Sequence, residues 1–241
     1  MPHLFYHLGR MVGTGLRKAN WVWRSLAGTE AESVEAEYSV GRDLAHAFAQ
    51  QAQPDPDPDA QALLTDVSAR LSATLLNKHW RFTPRCVLDP EPNAFALPGG
   101  FLFLTRPLLD LCRADAGELA FVLGHEMAHV VLRHAIDRIM AHTALSAAVR
   151  RLGFGGGVLG GSLATLATTL LNRGYSQDQE LEADRLAVRL AHCAGFEPSA
   201  GARLLARLAG VGGDPAGLSR YFSTHPPFEV RIAQINRAAG G

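Results

Sequence analysis

Apolar side chains recur at helical spacing along much of the chain. Residues 31–50 place Val34 and Phe48 on or near one face. Residues 61–79 repeat the pattern, so two amphipathic helices are predicted. From Pro107 onward the spacing is helical almost to the C-terminus. A predominantly α-helical chain is therefore expected.

A different pattern interrupts the helices in the middle of the chain. Short apolar runs at 85–89, 93–97 and 101–105 are separated by Pro-Glu-Pro and by a Pro-Gly-Gly turn at 98–100. Runs of this length between turn residues are typical of β-strands. They predict a small antiparallel sheet, and with the helices an α+β fold.

The segment 51–60, QAQPDPDPDA, alternates proline with aspartate and is predicted to be an extended, solvated loop. The helix before it cannot bury its apolar face alone. We therefore interpret residues 1–60 as an N-terminal helical segment and Pro/Asp loop that pack on the core. Residues 61–241 are interpreted as the main domain.

The pentapeptide HEMAH at 125–129 carries the most specific chemical signal of the chain. It lies in the stretch 115–140, where apolar residues follow helical spacing. His125 and His129 would project from one helical face, so both can bind one zinc ion. Glu126, one helical step away, is placed to hold the water that the metal activates. HExxH also arises by chance in His-rich helices, but a glutamate in so apolar a stretch needs a compensating cation.

A catalytic zinc site needs a third protein ligand. The third histidine of HExxHxxGxxH is absent, and His134 is expected off the metal face, at the surface or behind the ligands. A helix predicted over 176–195 offers carboxylates instead. Glu180 and Asp184 share a face there, so Glu180 is the favoured ligand and Asp184 the hydrogen-bond partner of a ligand histidine. Glu182 is the competing ligand, although its position favours solvent.

Four segments in this order resemble the M48 family of zinc metallopeptidases, a gluzincin family. They are NAFALPGG at 93–100, LGHEMAH at 123–129, QELEADR at 179–185 and STHPPFEVRI at 223–232. The similarity extends over residues 60–237 and implies a zincin-type metallopeptidase fold with the small sheet at the cleft. It also implies the following roles: zinc ligands His125, His129 and Glu180, a general base at Glu126, and Asp184 behind the ligands.

A strand that borders such a cleft can bind an extended peptide through main-chain hydrogen bonds. We expect this of the first segment, through Asn93, Ala94, Phe95 and Ala96. A simple core hairpin is the alternative.

The last segment places His225 before two prolines that stiffen its loop. His225 is expected over the metal, as an oxyanion donor or a fourth ligand, or else only to cap its loop. Arg231 is expected to anchor this loop through a carboxylate or carbonyl groups, or to lie at the surface.

Charge and cysteine content restrict the partners. Lysine plus arginine (23) equals aspartate plus glutamate (23), which gives no general attraction to nucleic acids. The three cysteines form no CxxC pair and are expected to be free thiols in a reducing compartment. The N-terminus shows no signal-peptide core, so a cytoplasmic protein is expected.

Membrane association is the alternative location. Residues 152–171 are uncharged for twenty positions but contain six glycines, and some membrane-bound members of the resembling family carry spanning helices in this part of the chain. We favour a loop and helix over the cleft, with peripheral membrane contact through this segment or the basic N-terminal segment as the alternative.

The sequence thus predicts a metalloendopeptidase with one Zn²⁺ per chain, which hydrolyses unfolded or extended polypeptides. Two rival interpretations remain. One is a chaperone-like or binding module that keeps zinc with latent proteolytic activity. The other is an aminopeptidase, which needs an acidic anchor for a free amine.

Overall fold

The computed structural model describes residues 29–50, 52–112, 115–137, 174–210 and 228–240. In these ranges helices pack around one four-stranded sheet, so the predicted α+β fold is confirmed. The elements in chain order are α1 (Glu30–Ala49), β1 (Gln53–Pro54), α2 (Pro58–Ala73), β2 (Thr83–Leu88), β3 (Ala94–Leu97), β4 (Phe101–Thr105), α3 (Arg106–Cys112), α4 (Ala116–Val131), α5 (Gln177–Cys193), α6 (Ala200–Gly210) and α7 (Phe228–Ala239).

The prediction of an extended loop over 51–60 agrees with residues 53–57, which include the short strand β1, but it was wrong for residues 58–60, which form the first turn of α2. The Asp57 carboxylate accepts the N–H groups of two residues in the first turn of α2, and Pro58 occupies the first helical position. Proline needs no N–H partner at that position, so the Pro-Asp run starts the helix instead of preventing it.

The sheet is mixed, in the order β1-β2-β4-β3. β3 and β4 pair antiparallel as predicted, but β2 and β4 are parallel. β2 pairs antiparallel with β1, so the antiparallel prediction was wrong only for the pairing of β2 with β4, because residues 89–93 carry the chain past β4 to its far side. There Asn93 is fixed by its N–H, which donates to Thr105 Oγ1 at 2.8 Å. β3 therefore lies at the edge of the sheet.

Both faces of the sheet are covered, and every residue of β4 is buried. On one face α1 places Phe48 against Phe103, with ring centroids 4.6 Å apart. On the other face residues of α2 and α4 such as Leu64 and Leu123 join Leu104 in the larger core cluster. α1 thus covers this face of the sheet through Phe48.

Helix α1 also contacts the turn between β3 and β4 and the chain just after α4. A Cβ at Gly41 would lie 1.6 Å from the Pro98 carbonyl oxygen, so only glycine permits this approach. Glu37, 1% exposed, accepts a hydrogen bond from Arg133 Nε at 2.8 Å. α1 therefore holds together two segments that border the cleft beside His129.

The buried Glu37 makes the stability of the protein depend on pH. Burial raises the pKa of Glu37 from 4.5 to about 7, although the charge and hydrogen bond of Arg133 lower it. Between these values the folded state holds a proton that the unfolded chain has released, so stability falls as the pH rises. Between pH 4.5 and 8 the free energy of unfolding should therefore fall by about 3 kcal/mol more in the wild type than in Glu37→Gln, whose side chain does not titrate. Urea unfolding of both proteins across this range measures the difference.

Glu35→Gln, at an exposed position of the same helix, is the matched control. It should keep the pH dependence of the wild type. A Glu37→Gln protein whose unfolding free energy follows the wild-type pH profile would contradict the assignment.

Within the described ranges, no helix combines the length and apolar character needed to cross a membrane. Residues 1–28 and 152–171, on which the prediction of membrane contact rests, lie outside these ranges.

Candidate metal centre

Helices α4 and α5 pack side by side at the centre of the molecule. A Cβ at Gly124 of α4 would lie 3.4 Å from the Cα of Ala187 in α5, which is van der Waals contact distance, so the two helices pack closely at this point. The predicted capping box between Ser176 and Gln179 starts α5, and Gly195, with φ +79°, follows its end. The first turn of α5 is thereby brought against the middle of α4.

Three metal-binding groups converge where these helices meet. His125 Nε2 lies 3.0 Å from His129 Nε2, and the Glu180 carboxylate lies 3.5 and 3.4 Å from these nitrogens. A tetrahedral zinc with metal–ligand distances of about 2.0–2.1 Å places neighbouring ligand atoms roughly 3.3 Å apart. The three buried side chains therefore have the spacing and the chemistry to hold a metal ion.

A second layer of polar groups surrounds this group. Asp184 Oδ1 lies 2.9 Å from His125 Nδ1. Arg231, 1% exposed, donates from Nε and Nη2 to the two oxygens of Asp184, each at 2.7 Å, and its Nη1 lies 3.2 Å from Glu180. Of the roles expected for Arg231, the structure shows an ion pair with a carboxylate, that of Asp184.

The charges of the centre favour a dication. Glu126, Glu180 and Asp184 are at most 2% exposed, and Arg231 is the buried cation among them. With neutral histidines, these described groups carry a formal charge of −2. Buried charge of one sign is costly unless it is compensated, and a divalent metal ion between the ligands would compensate it.

The protonation of His125 and Asp184 reflects the same charges. Burial alone would lower the pKa of His125, but Glu180 and the hydrogen bond to Asp184 raise it to about 9. Burial would raise the pKa of Asp184, but the hydrogen bonds and charge of Arg231 keep it below its usual value. The site therefore stabilises a cation at His125, whether a proton or a metal ion.

Helix α4 ends at Val131, and a turn at 132–133 interrupts the helical pattern predicted over 115–140 before residues 134–137 are helical again. Arg133 has a φ of 60°, a left-handed conformation that ends the helix and turns the chain back. As a result His134 is buried, and its Nδ1 lies 2.9 Å from His129 Nδ1. Of the two positions expected for His134, the structure shows the one behind a ligand.

Two contacts of the centre were not predicted from the sequence. The Tyr175 ring stacks on His129, with centroids 3.7 Å apart. Glu182, expected to face solvent, is half-exposed but lies 3.4 Å from His134 Nε2. Both contacts join segments that are distant in the chain, so no local pattern of the sequence indicated them.

The edge strand β3 borders the centre. Ala94 and Leu97 point into the core, and Phe95 and Ala96 are partly buried. A small cleft between β3, the end of α4 and Tyr175 is lined in part by Ala96 and His129. His225, the other residue expected over the metal, lies outside the described residues.

The comparisons with known proteins agree with this geometry. The family model described as Peptidase family M48 matches residues 55–239. The chain is 37% identical over 153 residues to the mitochondrial metalloendopeptidase OMA1 of Schizosaccharomyces pombe, which covers 62% of this chain and 44% of that protein. It is 30% identical over 149 residues to the metalloprotease LoiP of Escherichia coli, which covers 60% and 58%.

A protease HtpX homolog of Salinibacter ruber is 29% identical over 189 residues, with 64% of this chain and 67% of that protein covered. The chain spans less than half of the OMA1 proteins of Schizosaccharomyces pombe and Arabidopsis thaliana. The matched region contains the paired histidines of α4, the carboxylates of α5 and the edge strand beside them, and on this match the chain belongs to peptidase family M48.

Proposed function

We propose that the protein is a zinc-dependent metalloendopeptidase that hydrolyses unfolded or extended polypeptides. The observation that carries the proposal is the buried group of His125, His129 and Glu180, with donor atoms 3.0–3.5 Å apart beside an edge strand. Membership in a peptidase family and the names of the relatives support the same activity.

Each residue of the centre takes a distinct part in the proposed site. His125, His129 and Glu180 hold one zinc ion. Two imidazoles and one carboxylate are a frequent donor set of catalytic zinc, which leaves a further position open. Asp184 orients His125 through its Nδ1, and Arg231 fixes Asp184.

Zinc bound in this site would lower the pKa of a water molecule and polarise the carbonyl of the scissile bond. Glu126 follows His125 directly on α4, and its carboxylate accepts the proton of the attacking water. The same carboxyl group then donates that proton to the leaving amine. His225 is proposed to bind the oxyanion of the tetrahedral intermediate or to close the site, on the basis of the sequence alone.

The substrate is proposed to bind along β3. Because β3 is the outermost of the strands that the structure describes, a peptide can extend the sheet as a further strand. Residues 93–96 would then bind the main chain of the substrate, so selection by side chain would be weak. This mode of binding requires an extended segment, which unfolded proteins offer.

Removal and return of the metal tests the proposed function. The purified protein should contain about one zinc per chain and should cleave both casein and a peptide with a blocked N-terminus. A chelator should abolish cleavage, and stoichiometric zinc should restore it. A peptide methylated on backbone nitrogens near the cleaved bond should react more slowly, because it loses hydrogen bonds to β3.

The outcomes separate the rival interpretations. Zinc without cleavage of any unfolded substrate would indicate the chaperone-like or binding module. Cleavage only of peptides with a free amine would indicate an aminopeptidase. Cleavage that survives complete removal of the metal would refute the proposal.

A further inference from the structure

The two histidines of the metal centre have different partners at their outer nitrogens. His125 Nδ1 contacts the Asp184 carboxylate at 2.9 Å. His129 Nδ1 contacts a second imidazole, that of His134, also at 2.9 Å. His129 and His134 are 1% and 2% exposed, so this contact is shielded from water.

The contact between two imidazoles restricts where their protons lie. His129 Nε2 points to His125 and Glu180, and it must be unprotonated to bind a metal ion. The proton of neutral His129 then sits on Nδ1 and is donated to His134 Nδ1, which must offer a lone pair. The proton of His134 therefore sits on Nε2.

That outer nitrogen also has a partner. His134 Nε2 lies 3.4 Å from Glu182 Oε2, and an N–H at this position donates to the carboxylate. If His129 donates to His134 and His134 donates to Glu182, each ring nitrogen of the two histidines has a partner. The opposite direction would place an N–H where the metal binds.

The backbone after α4 makes this arrangement possible. Arg133 has a φ of 60°, which turns the chain so that His134 folds back onto His129. The conformation is held by the buried Glu37, which binds the Arg133 guanidinium. Glu37 lies on α1, before the first residue that matches the family model.

We propose that His134 and Glu182 are positioning residues that hold His129 in its metal-binding tautomer, as Asp184 and Arg231 do for His125. The proposal rests on the proposed function, since it assumes that His129 binds zinc. The hydrogen-bond partners behind His125 are held more firmly than those behind His129. Asp184 is buried and bound twice by Arg231, whereas the Glu182 side chain is 52% exposed and its contact is longer. His134 should therefore contribute more than Glu182.

Zinc affinity tests the proposal without reference to activity. In competition with a chromophoric chelator, His134→Leu should weaken zinc binding about 10–100-fold. His134→Asn should recover most of the loss, because its side-chain oxygen can accept the His129 Nδ1 proton. Glu182→Ala should have a smaller effect in the same direction. His192→Leu, at an exposed histidine of α5, is the matched control and should bind zinc like the wild type.

The tautomers provide a second measurement that a purely structural role would not change. Nitrogen-15 NMR of the zinc-loaded protein should show His129 protonated at Nδ1 and His134 protonated at Nε2. In zinc-loaded Glu182→Ala the His134 ring should stay protonated at Nε2, because the His129 Nδ1–H still donates to His134 Nδ1. In the metal-free form of this variant, where zinc no longer fixes His129, the His134 ring should lose its strong preference for that tautomer. Wild-type affinity in His134→Leu, or His134 protonated at Nδ1 in the wild type, would overturn the proposal. A wild type that binds zinc but cleaves nothing would overturn the proposed function alone.

Discussion

Glu126→Gln is expected to reduce kcat for peptide cleavage by about 10²–10⁴-fold, the usual contribution of general acid–base catalysis. Glutamine keeps the shape of the buried side chain but cannot take a proton from water. The proposed zinc ligands are other residues, so the variant should keep its zinc. It should also bind the blocked peptide, because β3 is unchanged.

Cleavage assays, metal analysis and peptide binding on the same preparation test this expectation. Asp178→Asn, at an exposed carboxylate in the first turn of α5, is the matched control and should remain active. Undiminished cleavage by Glu126→Gln would remove Glu126 from the role of base. Loss of cleavage together with loss of zinc would assign Glu126 to metal binding instead.

The local part of the site could be predicted from the sequence because helical geometry determines it. His125 and His129 are four residues apart, as are Glu180 and Asp184, and a helix places such pairs on one face. Capping signals also located the start of α5. These features depend only on neighbours in the sequence.

The contacts between distant segments could not be predicted in the same way. The parallel pairing of β2 with β4 depends on the path of residues 89–93 across the sheet. The end of α4 depends on Arg133, which adopts a left-handed conformation although it is not a glycine, so the sequence carries no sign of it. Glu37, 96 positions away in the chain, holds Arg133 in place. The contact between His134 and Glu182 follows from that turn.

The buried Arg231 should be important for stability as well as for the metal centre. It binds both oxygens of Asp184 at 2.7 Å and lies 3.2 Å from Glu180. Arg231→Met would leave these carboxylates without their guanidinium in the interior. Removal of one partner of a buried ion pair costs about 3–5 kcal/mol, and we expect this loss in the free energy of unfolding of the metal-free protein.

Arg231→Lys separates charge from geometry. Lysine supplies a positive charge but not the planar fork that binds both oxygens of a carboxylate, so it should restore only part of the stability. Arg185→Met, at an exposed arginine of α5, is the control and should change the free energy of unfolding by about 0.5 kcal/mol or less. Urea unfolding of the four metal-free proteins at pH 7 measures these differences, and equal stability of Arg231→Met and Arg185→Met would contradict the expectation.

The pH dependence of the loss identifies its cause. In the wild type, burial would raise the pKa of Asp184, but Arg231 keeps it below its usual value of 3.8. The contribution of this pair is therefore present above pH 3.8 and is lost as the pH falls through the lowered pKa. Without the guanidinium only His125 opposes the effect of burial, so the pKa of Asp184 should rise. Asp184 of the variant should then take up a proton at a higher pH than in the wild type, which removes the uncompensated charge. The deficit of Arg231→Met should therefore narrow as the pH falls from 7 to 4, whereas a deficit from lost packing alone would stay constant.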